Sequence, residues 1–260
     1  MNKAKGTEAN LSSDKLLQII EYMAARRLPM RLKDIADGLQ ISQPTVVRYL
    51  RTMCNQGYVY HDDHTGYYAM TWKICRLSSS LESNLVLRNM AGGLLSNFAN
   101  RYNMGVLLAV EREGMLVYLD LVGAPHGTVN AMLRIGKDAP MHSTASGKIL
   151  LSAMSAGRVQ QLLEQKGQVR LTHKTITSRE ALLQELAKIQ EQGYALDNEE
   201  CEIGHRCVSV PLYDYTGTVA AAISAFDSVD QLTDEVVRDT ALPALRELAA
   251  EISFRMGYSQ

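Results

Sequence analysis

The sequence predicts an α+β protein in two parts: a small helical part with one hairpin, then a larger antiparallel sheet with helices packed on it. Three observations carry that prediction. At 260 residues the chain is long enough for two domains, each burying its own core. Up to about Met70 it shows three runs of helical periodicity and one short β-prone pair. After Tyr102 it changes to hairpin-forming strands alternating with helices.

The elements follow in order. The opening MNKAKGTEANLSS has no apolar signal-peptide core and reads as a disordered lead-in. A first helix starts at Ser12 or Ser13 and runs to about Arg27, with Leu16, Ile19, Ile20 and Met23 facing inward, and Pro29 ends it. Leu32, Ile35, Ala36 and Leu39 mark one buried face of a second helix. A corner at Gly38–Ile41 leads to Ser42, a helix-capping residue, with Pro44 in the first turn of a third helix, where a missing N–H costs nothing. That helix turns Val46, Leu50 and Met53 inward and stops at Gly57. Tyr58–Tyr60 and Tyr67–Met70 then form a hairpin around the polar loop His61–Gly66. Helix, helix, recognition helix and hairpin together make a winged helix-turn-helix, which docks its recognition helix in the DNA major groove.

The outward face of the recognition helix has suitable chemistry. Gln43, Thr45, Val47, Arg48, Arg51 and Thr52 mix amide, hydroxyl, methyl and guanidinium groups, which read base edges and grip phosphates. Arg31 and Lys33 add charge, and Ser42 and Pro44 set the helix start, so the DNA-contacting set is Arg31, Lys33, Ser42, Gln43, Pro44, Thr45, Val47, Arg48 and Arg51. The net charge is −1 and the pI about 6.6, which excludes a polybasic coat. The basic residues Arg26, Arg27, Arg31, Lys33, Arg48 and Arg51 instead fall in one short stretch, so the attraction to DNA is local.

From Thr71 to about Tyr102 runs a long helical stretch with Ser78–Ser80 and Gly92–Gly93 as weak points, and the domain boundary is expected near Leu77–Ser83. Its leucines (Leu81, Leu85, Leu87, Leu94, Leu95) exceed what a lone exposed helix carries, which predicts an interface or strut over Leu77–Leu95. Gly105–Glu111 and Met115–Val122 are strands around Arg112–Gly114, and Val129–Ile135 is a third. Helices follow at Ser146–Met154, Ala156–Lys166 and Arg179–Gln192, the last opened by the Thr177–Glu180 capping box and closed by Gly193. Cys207–Leu212 and Thr218–Phe226 pair across a turn, and a last helix runs from Thr233 to about Met256 with a kink at Pro243.

Two motifs in the second half are specific. Pro140-Met141-His142-Ser143-Thr144-Ala145-Ser146-Gly147-Lys148 and Gly193-Tyr194-Ala195-Leu196-Asp197-Asn198-Glu199-Glu200, followed by Cys207–Pro211, together with the winged helix, resemble the IclR family of bacterial transcriptional regulators. The resemblance spans roughly Ser13 to Gly257; Ser209 stands where the family more often has alanine. It implies a GAF-like second domain that binds a small effector, dimers through the DNA-binding halves and assembly to a homodimer or homotetramer. It places the effector pocket at Thr144, Ala145, Asp197, Cys207, Ser224 and Phe226. The residues agree in two respects. Ser143, Thr144 and Ser146 stand at a helix start, whose free N–H groups favour an anion, and Ser224 puts a hydroxyl into an apolar strand.

Other chemistries fit less well. Gly147-Lys148 is no phosphate loop, since His142 replaces the first glycine and Ile149 the magnesium-binding hydroxyl. No H-E-x-x-H or G-x-S-x-G occurs, and His142 beside Ser143 lacks an orienting acid, so no catalytic residues and no cofactor are expected. The four cysteines show no disulfide framework, consistent with a reduced cytoplasm, and no apolar run reaches a membrane span. Cys201, His205 and Cys207 form a loose C-x3-H-x-C, which leaves metal binding open, although no metal site is assigned. Glu199, Glu200 and Glu202 read as a solvated acidic loop, with only Asp197 turned to the pocket.

The expected protein is a cytoplasmic transcriptional regulator. It comprises a winged helix-turn-helix over residues 13–72, a linker helix over 73–95 and an effector-binding, oligomerising domain over 96–257. It binds a palindromic operator under control of a small carboxylate such as a sugar acid or keto acid. The competing possibility is a constitutive DNA-binding dimer whose second domain only assembles.

Overall fold

A computed structural model describes residues 11–26, 28–74, 84–124, 135 and 138–259, and the chain divides into the units Met1–Ser83 and Asn84–Gln260. In the first unit, α1 (Leu11–Arg26), α2 (Leu32–Leu39) and α3 (Gln43–Asn55) enclose Ile19, Met23, Ile35, Ala36, Val46, Leu50 and Met53, with Tyr49 and Val59 completing the core. Burying each large aliphatic side chain there stabilises the unit by roughly 1.5–3 kcal/mol. Gly38 admits the close approach of α1: a Cβ at that position would lie 1.9 Å from the Tyr22 hydroxyl oxygen. The corner between α2 and α3 is made by Gln40 in the left-handed conformation, with the Ile41 N–H donating to the Ala36 carbonyl at 3.0 Å.

The wing consists of β2 (Val59–Asp62) and β3 (Tyr67–Met70), and a two-residue strand, β1 (Met30–Arg31), joins it in the order β1-β3-β2. Periodicity gave no signal for β1, which is too short to show one. Ser42 occupies the cap position of α3 but bonds the Thr45 hydroxyl at 2.9 Å and no backbone N–H.

The second unit is built on one antiparallel sheet. Its strands are β4 (Gly105–Arg112), β5 (Met115–Val122), β6 (Asp138–Ala139), β7 (Ala195–Asn198), β8 (His205–Tyr213) and β9 (Val219–Ser228), in the order β6-β5-β4-β9-β8-β7. Strand alternation sends side chains to two cores. Val106, Leu108, Val208, Val210 and Ile223 pack with α4 (Asn84–Tyr102) and α9 (Leu242–Arg255). Leu107, Leu116, Tyr118, Ala222 and Phe226 face the other way, toward α5 (Ala145–Ser152), α6 (Ala156–Lys166) and α7 (Arg179–Gln192). The candidate site lies on this second face.

Several sequence expectations need correction. The capping residue of α7 is Ser178, one position after the predicted Thr177; its hydroxyl oxygen accepts the Ala181 N–H. The Pro243 kink is absorbed before α9: a short turn, α8 (Asp234–Val236), and a π-helical turn at Val237–Ala241 precede it, so Pro243 stands in a first turn. Leu87 and Leu95 are buried in the core of their own unit, so they do not argue for an interface. The expected strand at Val129–Ile135, the domain boundary near Leu77–Ser83, and Leu81 and the side chain of Leu85 lie outside the described residues.

Candidate functional site

In the first unit, Arg31, Lys33, Ser42, Gln43, Pro44, Arg48 and Arg51 are exposed, and Thr45 and Val47 half-buried. Helical spacing puts Pro44, Arg48 and Thr52 on one ridge of α3 and Gln43, Val47 and Arg51 on the next. Two of the guanidinium groups, those of Arg31 and Arg48, lie over tyrosine rings. Arg48 lies 5.2 Å from the Tyr49 ring centroid and donates from Nη2 to its hydroxyl at 3.4 Å. That hydroxyl is also 2.8 Å from Ser12 Oγ on α1. Arg31 lies 5.1 Å from the Tyr67 ring centroid in the wing. Sequence periodicity did not single out Tyr49; its role as a support for Arg48 needs the packing.

In the second unit a cavity of about 60 Å³ opens between the sheet and the start of α5. Of the predicted effector residues, Thr144, Ala145, Asp197, Cys207 and Ser224 line it. Ser143 does not: it belongs to the 3-10 turn Met141–Ser143 ahead of the cap and is fully buried. Phe226 also stays out of the lining. It lies further along β9 on the same face and covers Gly105, where a Cβ would meet its ring at 2.3 Å. Ser146, Leu107, Leu116, Tyr118, Pro140 and His205 complete much of the wall. Leu116 and Tyr118 could have been found from strand alternation along β5, had the buried face been known.

The start of α5 is shaped by Thr144, whose hydroxyl donates to the Pro140 carbonyl at 3.1 Å and accepts the Gly147 N–H at 3.2 Å. The first amides of a helix have no partner within it, and here Ala145 and Ser146 line the cavity. Beside them, Ser146 Oγ and Ser224 Oγ are 2.5 Å apart, so one hydroxyl donates to the other and the acceptor keeps a proton of its own to donate. Ser209, the departure from the family pattern, is fully buried and donates to the Ile223 carbonyl at 3.0 Å.

The acidic loop is not solvated, contrary to the sequence expectation. Glu199 is 9% and Glu200 7% exposed. Glu200 pairs with Lys148, itself 1% exposed, at 2.5 Å, and Glu199 pairs with Lys174. The Thr172 and Thr175 hydroxyls donate to the carbonyls of Glu199 and Glu200, each at 2.7 Å. Asp197 Oδ1 accepts the N–H groups of Glu200 at 2.8 Å and Cys201 at 3.2 Å. Motif spacing did not reveal this because Lys148 and Glu200 are far apart in sequence.

The charge of the cavity follows from burial. Burial, and then the neighbouring Glu200, push the Asp197 carboxyl up to about 7. Burial drives the Cys207 thiol well above its usual range and raises the Tyr118 phenol, so both stay protonated at neutral pH. Burial also raises Glu200 against the pull of Lys148. Asp138 and Glu202 also line the cavity, the latter contrary to its expected place in solvent, so a small anion is favoured at the start of α5, where Ala145 and Ser146 stand, and not by the wall as a whole. Among the described residues, no group of three or more His, Cys, Asp or Glu side chains is arranged to hold a metal ion, and no helix is long and apolar enough to cross a membrane.

Compared with known proteins, the chain matches two families, the bacterial transcriptional regulator IclR C-terminal over residues 80–254 and the IclR helix-turn-helix domain over residues 12–63. The HTH-type transcriptional regulator KdgR of Escherichia coli (strain K12) is 32% identical, with 94% of this chain and 92% of that protein covered. The crystal structure of the Thermotoga maritima IclR covers 95% of this chain and 99% of its own, with 28% identity and a TM-score of 0.61. The inducer-binding domain of the Acinetobacter transcription factor PobR, a double mutant in complex with 3-hydroxybenzoic acid, covers 64% of this chain and 96% of its own, with 26% identity and a TM-score of 0.60.

Proposed function

The chain belongs to the IclR family of bacterial transcriptional regulators, and from that premise we propose that it binds a palindromic operator as a homo-oligomer under the control of a short hydroxy or keto acid. The observation that carries the proposal is the meeting of the start of α5 at Ala145 and Ser146, the Ser146–Ser224 hydroxyl pair and the protonatable Asp197 on one small cavity. The carboxylate of the effector lies at the start of α5. Its hydroxyl or keto group meets Asp197 and the Cys207 thiol, and Leu107, Leu116 and Tyr118 enclose its carbon chain. A volume of about 60 Å³ favours a short-chain acid over a sugar acid. That the Acinetobacter relative was crystallised with a hydroxybenzoic acid supports an acid as the effector class.

In the first unit, Gln43, Val47, Arg48 and Arg51 read the major groove, with Arg31 and Lys33 on phosphates. The half-sites lie about 34 Å apart, one helical turn. The DNA-binding domain takes residues 13–72 and the effector-binding domain 96–257, with the segment 73–95 between them, of which residues 84–95 belong to α4.

The test is thermodynamic reciprocity. Pyruvate, lactate and related short acids are titrated into the full chain by calorimetry, with and without operator DNA. Whatever factor the acid changes operator affinity by, the operator changes acid affinity by the same factor, with a coupling of about 1–3 kcal/mol typical. Ser224→Ala weakens the acid by about 0.5–1.5 kcal/mol and leaves DNA binding intact. Equal acid affinities with and without operator would leave a constitutive DNA-binding protein instead.

A further inference from the structure

A second cavity, of about 130 Å³, opens in the same unit on the other side of Pro140, which lines both. Its wall is mostly aliphatic: Met115, Met141, Leu151, Leu162, Leu163 and Val169. An engineered cavity of about 150 Å³ with such a lining stays dry and binds benzene, so this space suits one benzene-sized ring better than water.

Two polar side chains complete the wall, His142 and Lys166. His142 is buried, with Nε2 3.1 Å from the Val169 carbonyl. A carbonyl only accepts, so Nε2 carries the proton and donates. Burial holds the ring below its ordinary pKa and therefore neutral. Lys166 is exposed in the last turn of α6 and makes no ion pair among the described residues. Its stem closes on the β4–β5 turn, where a Cβ on Gly114 would lie 3.0 Å from Lys166 Cε and 2.8 Å from Leu162 Cδ2. Gly114 has a φ of +79°, so the turn and the close approach both call for glycine.

We propose that this cavity is a second ligand site, taking an apolar ring of benzene size that carries one carboxylate, with the ring among the leucines and methionines and the carboxylate on Lys166. Its wall has a direct mechanical link to α5. A Cβ on Gly147 would lie 2.3 Å from the Met141 carbonyl oxygen and 2.4 Å from Met141 Cα, so the strip cannot move inward without displacing the first turn of that helix. A ligand pressing on Met141 therefore acts on the residues that line the first cavity. This coupling rests on the effector role of the first cavity; the binding itself does not.

The probe is 4-fluorobenzoate, followed by fluorine NMR on the full chain. Binding is expected with a dissociation constant of roughly 1 mM or tighter. Lys166→Met should weaken it about tenfold, while Lys188→Met, at an exposed lysine of α7, and Ser224→Ala should leave it unchanged. Leu162→Trp should fill the cavity and abolish binding; if that variant fails to fold, Lys166→Met against Lys188→Met decides. No binding in the wild type overturns the proposal. So does loss on Ser224→Ala with none on Lys166→Met, which would put the ring in the first cavity. Neither outcome bears on the operator titration with pyruvate, so the two readings fail separately.

Discussion

At the scale of single residues, the carboxyl of Asp197 is the group through which pH reaches the cavity. Its pKa near 7, against an ordinary 3.8, means that between these values the folded chain holds a proton the unfolded chain has released. The stability of the neutral buried form is fully present below about pH 4 and lost as the pH rises through 7. An anionic effector should follow the same proton, with affinity falling by up to about tenfold per unit above pH 7. Asp197→Asn keeps an acceptor for the two loop amides and should flatten both profiles between pH 5 and 8, measured as Tm and by calorimetry; an unchanged slope would mean another group is titrating. Tyr49 allows a second test. Tyr49→Phe keeps the ring in the core but removes the hydroxyl bonded to Ser12 and Arg48, which should cost about 0.5–1.5 kcal/mol of stability. It should also erode operator discrimination by less than the 1–3 kcal/mol or so expected for Arg48→Ala, with the salt slope kept, because the guanidinium remains. Binding to operator and random DNA across a salt series separates these outcomes. Thr144, Asp197 and Ser224 could be named from sequence because the motifs carry them. Leu116, Tyr118 and the burial of Glu199 and Glu200 could not, because they depend on which strand face is covered.

At the scale of elements, α5 shows how a short helix can be buried almost completely. All eight of its residues are buried, and Lys148 is tolerated there because Glu200 meets it at 2.5 Å, with Glu185 a second carboxylate at 3.8 Å. Removing one partner of a buried pair leaves a charge without compensation. Lys148→Met should therefore lose about 3–5 kcal/mol in denaturant unfolding, and Lys148→Met with Glu200→Gln should recover most of it. An additive double variant would show that the pair is not coupled. Long, strongly periodic elements such as α1, α3, β4 and β9 were legible because their faces repeat over several turns or residues. The short strands β1 and β6 escaped, since two residues show no period, and β7 escaped within a segment that reads as an acidic loop. The cap shift from Thr177 to Ser178 arose because neighbouring hydroxyls are equivalent in sequence, and only the Ala181 N–H chooses between them.

At the scale of the whole molecule, large apolar side chains are exposed in both units, among them Leu17, Leu28, Tyr60 and Trp72 in the first and Ile203, Tyr215 and Phe254 in the second, and Trp72 offers a probe of assembly. Trp72, 86% exposed in the single chain, is its only tryptophan and so an intrinsic reporter. Light scattering at micromolar concentration should show a dimer or tetramer, and Trp72 emission should shift to longer wavelength on dilution as the contact opens. A monomer at all concentrations would remove the two-fold operator from the proposal. The sequence by itself determined the two-part α+β plan, the order of helix, helix, recognition helix and wing, and the family, because these rest on local periodicity, helix punctuation and contiguous motifs. Only the tertiary structure decided that Lys148 meets Glu200, that Tyr49 supports Arg48, that Phe226 covers Gly105 instead of lining the cavity, and that Asp197 carries a raised pKa. Each of these depends on partners far along the chain and on exclusion of water, which no local pattern encodes.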